Sequence, residues 1–430
     1  MDNNQLIIIG DSLVYIATFV YWLLKLKKLN VGLMILAIMT ISHVGAIFYY
    51  TILKDLGLLE ADIQILPFVY LYLMIMLCLL PFLQYDGVKR VNVEGCETLT
   101  LLFTILIIII NIEPFLENLN ILRSSNSEYS EIYDDMRDGN LEIYTRIGKT
   151  LMGWANHFRL FTPVLFFYYL TKDSFNKYIL WGLVMSMINL LLYWINIGTR
   201  GGIVTQFLLF IMTYILFLPL IPSKIISLIK KYSLFVFIPA FLFFVGVTVS
   251  RYNAKSNPNK SLVGWLLLYS SEGPIKFNSE MWIGEHNTKG DVNANFIKDI
   301  LGMKTYTTYE DRDEHYLAKN GRRIEVFYTY VGDFVSDFGY VGGIIICILL
   351  YFITKGIMKK EGIVPLQNFI IILYIAHTYS IGFASNVYRS YNLQKGTFYM
   401  LIVFCIFCMV QNWANIQNSI ENYNDKDRLK

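Results

Sequence analysis

Charge is what this chain has least of. Of its 430 residues only 16% are Asp, Glu, Lys or Arg, while 55% are hydrophobic and the mean hydropathy is +0.47. A soluble domain carries about 25% charged and roughly 45–50% apolar residues. The deficit excludes a soluble globular enzyme, and hydropathy this high excludes intrinsic disorder. Net charge is only +3 and no basic block is interleaved with aromatics, which excludes a nucleic-acid binder. Cysteine is scarce as well, with 5 residues. Cys78, Cys347, Cys405 and Cys408 fall inside apolar runs and Cys96 in a short loop, so no disulfide framework is implied. A GxxxxGK[ST] loop is missing, so the chain does not power anything by its own nucleotide hydrolysis. Internal repeats and low-complexity tracts are missing too.

What is present is a succession of apolar runs, each about 20 residues long as a bilayer crossing requires. Eleven segments qualify, near 5–24, 31–53, 63–84, 98–112, 150–171, 176–196, 201–220, 232–250, 333–354, 364–386 and 396–413. The start, MDNNQLIIIGDSLVYIATFV, has neither a basic n-region nor a small-residue cleavage site and reads as the first span. The expectation is an all-α polytopic membrane protein, a single domain over 1–430. Its 61 Tyr and Phe residues suit the two bilayer interfaces.

Lysine and arginine set the orientation. Lys25, Lys27 and Lys28, then Lys89 and Arg90, Lys172 and Lys177, Lys224, Lys230 and Lys231, and Lys355, Lys359 and Lys360 occupy alternate loops. Lys426, Arg428 and Lys430 follow in the tail. Positive loops are cytoplasmic. The opposite segments are acidic, 113–149 holding eight acids against four bases. The N-terminus is therefore expected outside and the C-terminus inside, with 113–149 and 251–332 as external loops. The second contains SLVGWLLLYSSEGPIKF, which suits a helix lying in the outer interface and ended by Gly273-Pro274. It reads as a lid over an active site or, equally, as a surface cover without chemistry.

Ionisable residues inside the spans point outward. Asp11, His157, Arg159, Asp333, Asp337 and His377 fall in the outer halves of their spans, and only His43 lies near mid-depth. A charge at the bilayer centre costs at least about 2.5–3.5 kcal/mol, so such groups face a polar cavity or one another. One-sided clustering fits an outward-opening chamber better than a path through the bilayer. Four arginines, Arg159, Arg200, Arg251 and Arg389, lie at the level of a lipid headgroup. Guanidinium forks bind phosphate oxygens bidentately, so four of them suit a pyrophosphate. Snorkelling to ordinary headgroups is the plainer explanation for each alone, except that Arg159 lies too deep to be a simple end-snorkeler. Arg200 sits in INIGTRGGIV, where glycines at a helix start permit close backbone approach and the helix N-terminus favours an anion.

At these residues the chain resembles the bacterial O-antigen and capsule repeat-unit polymerases of the Wzy type. The likeness rests on GTRGGIV (198–204), VSRYN (249–253) and YTYVGDFVSDFGYVGG (328–343), and on many spans with one large external loop late in the chain. It implies a metal-independent glycosyltransferase of the bacterial inner membrane, working in lipopolysaccharide or capsule biosynthesis without a cofactor. Its substrates would be oligosaccharide repeats on undecaprenyl pyrophosphate, and its partners the chain-length regulator and flippase of the same pathway. By the same likeness Arg200 and Arg251 would hold the leaving pyrophosphate, with Arg159 and Arg389 alongside. A general base must take the acceptor hydroxyl's proton. The candidates are His315, then Glu314, in DEHY, Asp337 of D-F-G, and Glu272. His157, Glu272, Arg323 and Tyr328 are candidate substrate contacts. DRDEHY is also readable as a solvated charged face, and Asp337 as an anchor for Arg323 or Arg251. Three other readings remain open: an O-antigen ligase joining polymer to lipid A core, a polysaccharide flippase or other transporter, and a purely structural or sensory membrane protein.

Overall fold

Several helices begin where an apolar run meets a residue that caps it, as Asp2, Asn30, Thr145 and Asn176 do. The computed structural model describes residues 2–55, 62–85, 87–124, 144–172, 174, 176–254, 262–283, 288–306, 309–320, 326–358 and 362–428. Some side chains within this set, Arg251 among them, lie outside the described residues, as does the whole of Arg323. The chain divides into two units, 1–86, 255–360 and 375–395 forming the first and 87–254, 361–374 and 396–430 the second.

In the first unit, helix α1 (Asn3–Leu26) starts from a capping box in which Asp2 and Gln5 exchange hydrogen bonds, and it stops at Lys27 in the left-handed region. Helix α2 (Val31–Asp55) is capped by Asn30, whose side chain accepts from Leu33 N at 2.8 Å. Its amide also donates to Phe82 O at 3.1 Å, at the end of α3 (Ile65–Leu83). Buried Asp11 of α1 meets His43 of α2 at 2.5 Å, and Tyr15 stacks on the imidazole at 3.7 Å. This pairing satisfies both buried polar groups locally.

The second unit opens with β1 (Arg90–Asn92), followed by α4 (Glu97–Ser124), α5 (Arg146–His157), α6 (Phe161–Leu170), α7 (Lys177–Asn196), α8 (Arg200–Phe217) and α9 (Ser223–Ala254). Strand β2 (Ile363–Pro365) pairs with β1 in parallel, Val91 opposite Val364. Asparagines one heptad apart on α4 and α7 join those helices. Asn189 donates to Asn111 at 2.7 Å and accepts from Asn118 at 2.7 Å, while Asn196 donates to Asn118 at 2.8 Å.

The first unit resumes with α10 (Leu262–Lys276), a π-turn (Phe277–Met281), α11 (Asn295–Ile300), α12 (Tyr309–Asn320) and α13 (Thr329–Ile357). Helices α14 (Leu366–Ile381) and α15 (Tyr391–Arg428) complete the chain. Among the described residues eight helices are long and apolar enough to cross a membrane: α1, α2, α3, α4, α7, α8, α13 and α15. The protein is an all-α multi-pass membrane protein in which, among the described residues, one strand pair is a minor exception.

Three sequence expectations need correction. The fifth expected span, 150–171, is two helices broken at 158–160, with Arg159 in the break and only 3% exposed. The fourth runs on through Glu113 and Pro114 to Ser124, with Pro114 inside the helix and Glu117 accepting from the Thr145 hydroxyl at 2.5 Å. Gly273-Pro274 does not end α10, which continues to Lys276 and widens into the π-turn. Nor does α10 stand apart. Ile275 packs with Tyr49, Tyr50 and Leu53 of α2, and Ser271 lies where a side chain on Gly45 would be.

Candidate functional site

The polar residues of the first unit gather around the first turns of α13. D-F-G is the reason these turns form a separate piece. Gly339 adopts φ 70° and ψ 179°, a conformation open essentially to glycine alone, and breaks the helix there. The short piece before it carries Asp333 and Asp337 one turn apart, both buried.

Asp337 is filled by donors. Its Oδ1 accepts from the Thr288 hydroxyl and from Val292 N at 2.9 Å, and its Oδ2 from Asn293 N and Nδ2, both at 2.7 Å. A carboxylate offers about four lone-pair sites, so none remains for a substrate proton. Asp333 accepts from Asn386 N at 2.6 Å and faces the Arg389 guanidinium at 3.5 Å. Asn386 also donates to Asn293 Oδ1 at 2.7 Å, joining the two segments the carboxylates hold.

The turn secured by Asp337 presents Asp291 to α12. His315 Nε2 lies 2.7 Å from Asp291 Oδ2, Lys298 pairs with the other oxygen, and the Tyr316 hydroxyl donates to Asp291 O at 2.7 Å. Tyr306 stacks on the imidazole at 3.8 Å. His315 thus has a carboxylate orienting one nitrogen, the arrangement that fixes a histidine's tautomer in acid–base catalysis. Arg312 stands one turn before it on α12, 7% exposed, donating through Nη2 to Arg389 O at 3.2 Å. Its Nε has no hydrogen-bond partner among the described residues.

Around α10 a second polar group forms. Glu272, Lys276 and Glu280 follow one stripe at four-residue spacing through the π-turn. Tyr49 donates to Glu272 at 3.2 Å, Tyr328 donates to Glu280 at 3.0 Å, and Lys276 pairs with Glu280. Burial pushes the Glu272 carboxyl up to about 7, against the pull of Lys276 and of the Phe327 N–H. A carboxyl near neutrality can both take and return a proton.

The expected residues therefore divide by unit. His315, Glu314, Asp337, Glu272, Tyr328 and Arg389 belong to the first, and Arg159, Arg200, Arg251 and His157 to the second. Glu314 is exposed on α12, apart from the His315–Asp291 pair. Arg200 opens α8 and donates to Thr248 of α9 at 3.3 Å, with position 251 three residues further along α9. The two glycines after Arg200 differ in purpose. A Cβ on Gly202 would fall 2.1 Å from the Trp194 ring, whereas one on Gly201 would meet nothing within 4 Å. Gly202 is thus required for helix packing rather than for a ligand's approach. His157 lies against the Tyr399 ring, centroids 5.4 Å apart.

Sequence reasoning missed Asp291, Lys298, Asn293, Arg312, Lys276 and Glu280. The 272–276–280 spacing was legible once the helix passed Pro274, and Arg312 with His315 once DRDEHY became helical. Asp291 left no such signal. No family model, curated protein or solved structure matches the chain.

Proposed function

We propose that this protein is a membrane glycosyltransferase that polymerises polyprenyl-pyrophosphate-linked oligosaccharide repeats on the external face of the bacterial inner membrane. The His315–Asp291 pair, with Arg312 one turn away, carries the reading. The alternation of Lys and Arg between loops supports eleven crossings, an external N-terminus and a cytoplasmic C-terminus, which puts α12 outside.

In this reading the acceptor hydroxyl gives its proton to the His315 nitrogen that does not face Asp291. Its oxygen bonds to the anomeric carbon of the growing chain as the bond from that carbon to the pyrophosphate oxygen breaks. Polyprenyl pyrophosphate departs with the electron pair. Arg312 and Arg389 offset charge developing on an oxyanion, an effect worth about 2.7–4 kcal/mol per donor where it has been measured. Arg159, Arg200 and Arg251 keep the role the resemblance implies, gripping a pyrophosphate. The sugar chain slides past while the carrier's tail stays in lipid.

The test is a polysaccharide gel of the producing bacterium lacking this gene, complemented with wild type or with His315→Ala. A ladder that collapses to a single repeat, restored by wild type but not by the variant, is the expected result. Polymer accumulating unattached on its carrier would make the protein the ligase instead. An unchanged ladder would remove it from glycan assembly.

A further inference from the structure

Asp337 and His315 never touch, yet one short turn connects them. Lys289 and Gly290 both lie in the left-handed region, at φ 55° and 90°, so the chain reverses between Thr288 and Asp291. One side of the turn faces α13. Thr288 N donates to Ser336 O at 3.1 Å and Lys289 N to Asp337 O at 3.2 Å, beside the four bonds into the Asp337 carboxylate. The other side faces α12, where Asp291 meets His315 and, through its carbonyl, Tyr316. Gln394 closes the segment from beyond, donating to Val292 O at 2.9 Å and accepting from Phe296 N at 2.8 Å.

A single buried carboxylate thus takes more of the turn's polar contacts toward α13 than any other group there, and the residue projecting from its far side orients the imidazole. Lysine in the left-handed region is held against its own preference, which costs about 1–3 kcal/mol and persists only where surrounding bonds impose it. Asp337 supplies the largest share of those bonds.

We infer that Asp337 is a positioning residue: it fixes the 288–293 turn, and through Asp291 it sets the orientation of the His315 ring for proton transfer. This rests on the catalytic reading of His315. It replaces Asp337 as a candidate base, because its oxygens are already taken.

The test uses full-length protein in lipid nanodiscs with a lipid-linked repeat as substrate. Asp337→Asn puts an amide N–H₂ opposite a donor, since Thr288, Val292 and Asn293 all donate. kcat is expected to fall about 10- to 100-fold, the scale of a roughly 1 Å misplacement, with KM nearly unchanged. In a His315→Ala background the same change should cost nothing further, because Asp337 acts only through that ring. Thr288→Val, which removes one of the four donors, is the milder variant should Asp337→Asn not accumulate, and should show the same dependence on His315. Amide hydrogen exchange over 288–296 should quicken in either variant while that of 340–357 stays slow.

Multiplying losses in the double variant, or a raised KM with kcat intact, would overturn the positioning role. Unchanged exchange over 288–296 would overturn the tether itself. Full activity of Asp337→Asn beside an inactive His315→Ala would remove Asp337 and leave the catalytic reading standing. Should wild type fail to extend the lipid-linked repeat, the catalytic reading falls and the positioning role with it.

Discussion

Glu272 gives the stability of this protein a pH dependence whose sign and size follow from its surroundings. The side chain lies on α10 with the residue only 7% exposed, and it accepts from the Tyr49 hydroxyl at 3.2 Å. Burial outweighs the pull of Lys276 and raises the carboxyl from the ordinary 4.5 to about 7. The folded protein therefore holds this proton more tightly than the unfolded chain does. Below the ordinary value the carboxyl is neutral in both states and the fold has its full stability. Between there and neutrality the unfolded chain ionises while the fold does not, and stability drains away as pH rises. The whole rise is worth about 3 kcal/mol, at about 1.4 kcal/mol per pH unit. Glu272→Gln mimics the neutral acid, keeps an acceptor for Tyr49 and has no proton to lose. Wild type and variant should match near pH 4.5, while near pH 8 the variant should be the more stable by about 3 kcal/mol. Denaturant unfolding in one detergent at both pH values reads the difference. Stability differences that stay constant with pH would show that Glu272 is solvated, and would refute the assignment of a neutral buried carboxyl.

Two further outcomes test packing in the second unit. Gly202→Ala should destabilise by about 1–3 kcal/mol, as overpacking does, because its Cβ would meet the Trp194 ring, whereas Gly201→Ala should stay within about 0.5 kcal/mol. Thermal unfolding in detergent compares them, and equal effects would mean that Gly202 is not a packing glycine. Asn189→Leu removes the hydrogen bonds to Asn111 and from Asn118, with a weaker one to Met152 Sδ at 3.7 Å, and strands the Asn111 side-chain carbonyl. Intramembrane bonds average about 0.6 kcal/mol and reach about 1.7, so a loss of about 1–3 kcal/mol is expected. Adding Asn111→Leu should cost less than it does alone, since the stranded carbonyl goes with it, and simple additivity would sink the pairing.

Apolar length made the spans legible, since a run of that kind has one stable answer in lipid. It was less informative about interruptions. At 158–160 the sequence HFRLF gives no glycine or proline to mark a break until Pro163, inside the following helix. Arg159 signalled only that something polar was needed near it. Glu113 and Pro114 looked like an end, yet α4 passes both. Proline and charge lower helix propensity locally, but tertiary packing of the flanking turns decides.

The site was legible by residue type and opaque by partner. An ionisable residue in an apolar run announces that it has a partner, and the chain around it does not say which. Asp337 was open as a base for a substrate hydroxyl or as an anchor for an arginine, and neither reading looked for backbone donors. Its donors are two backbone N–H groups, a hydroxyl and an amide, 44 to 49 residues away in a turn with no motif of its own. Backbone donors are identical at every residue, so no pattern of side chains can reveal them. His315 differs because its partner is a carboxylate, that of Asp291. What hid the pair was the turn, whose reversal depends on Lys289 adopting a conformation lysine rarely takes. A lysine there reads as solvent exposure. Only the bonds into Asp337 turn it into the hinge that carries Asp291 to the imidazole.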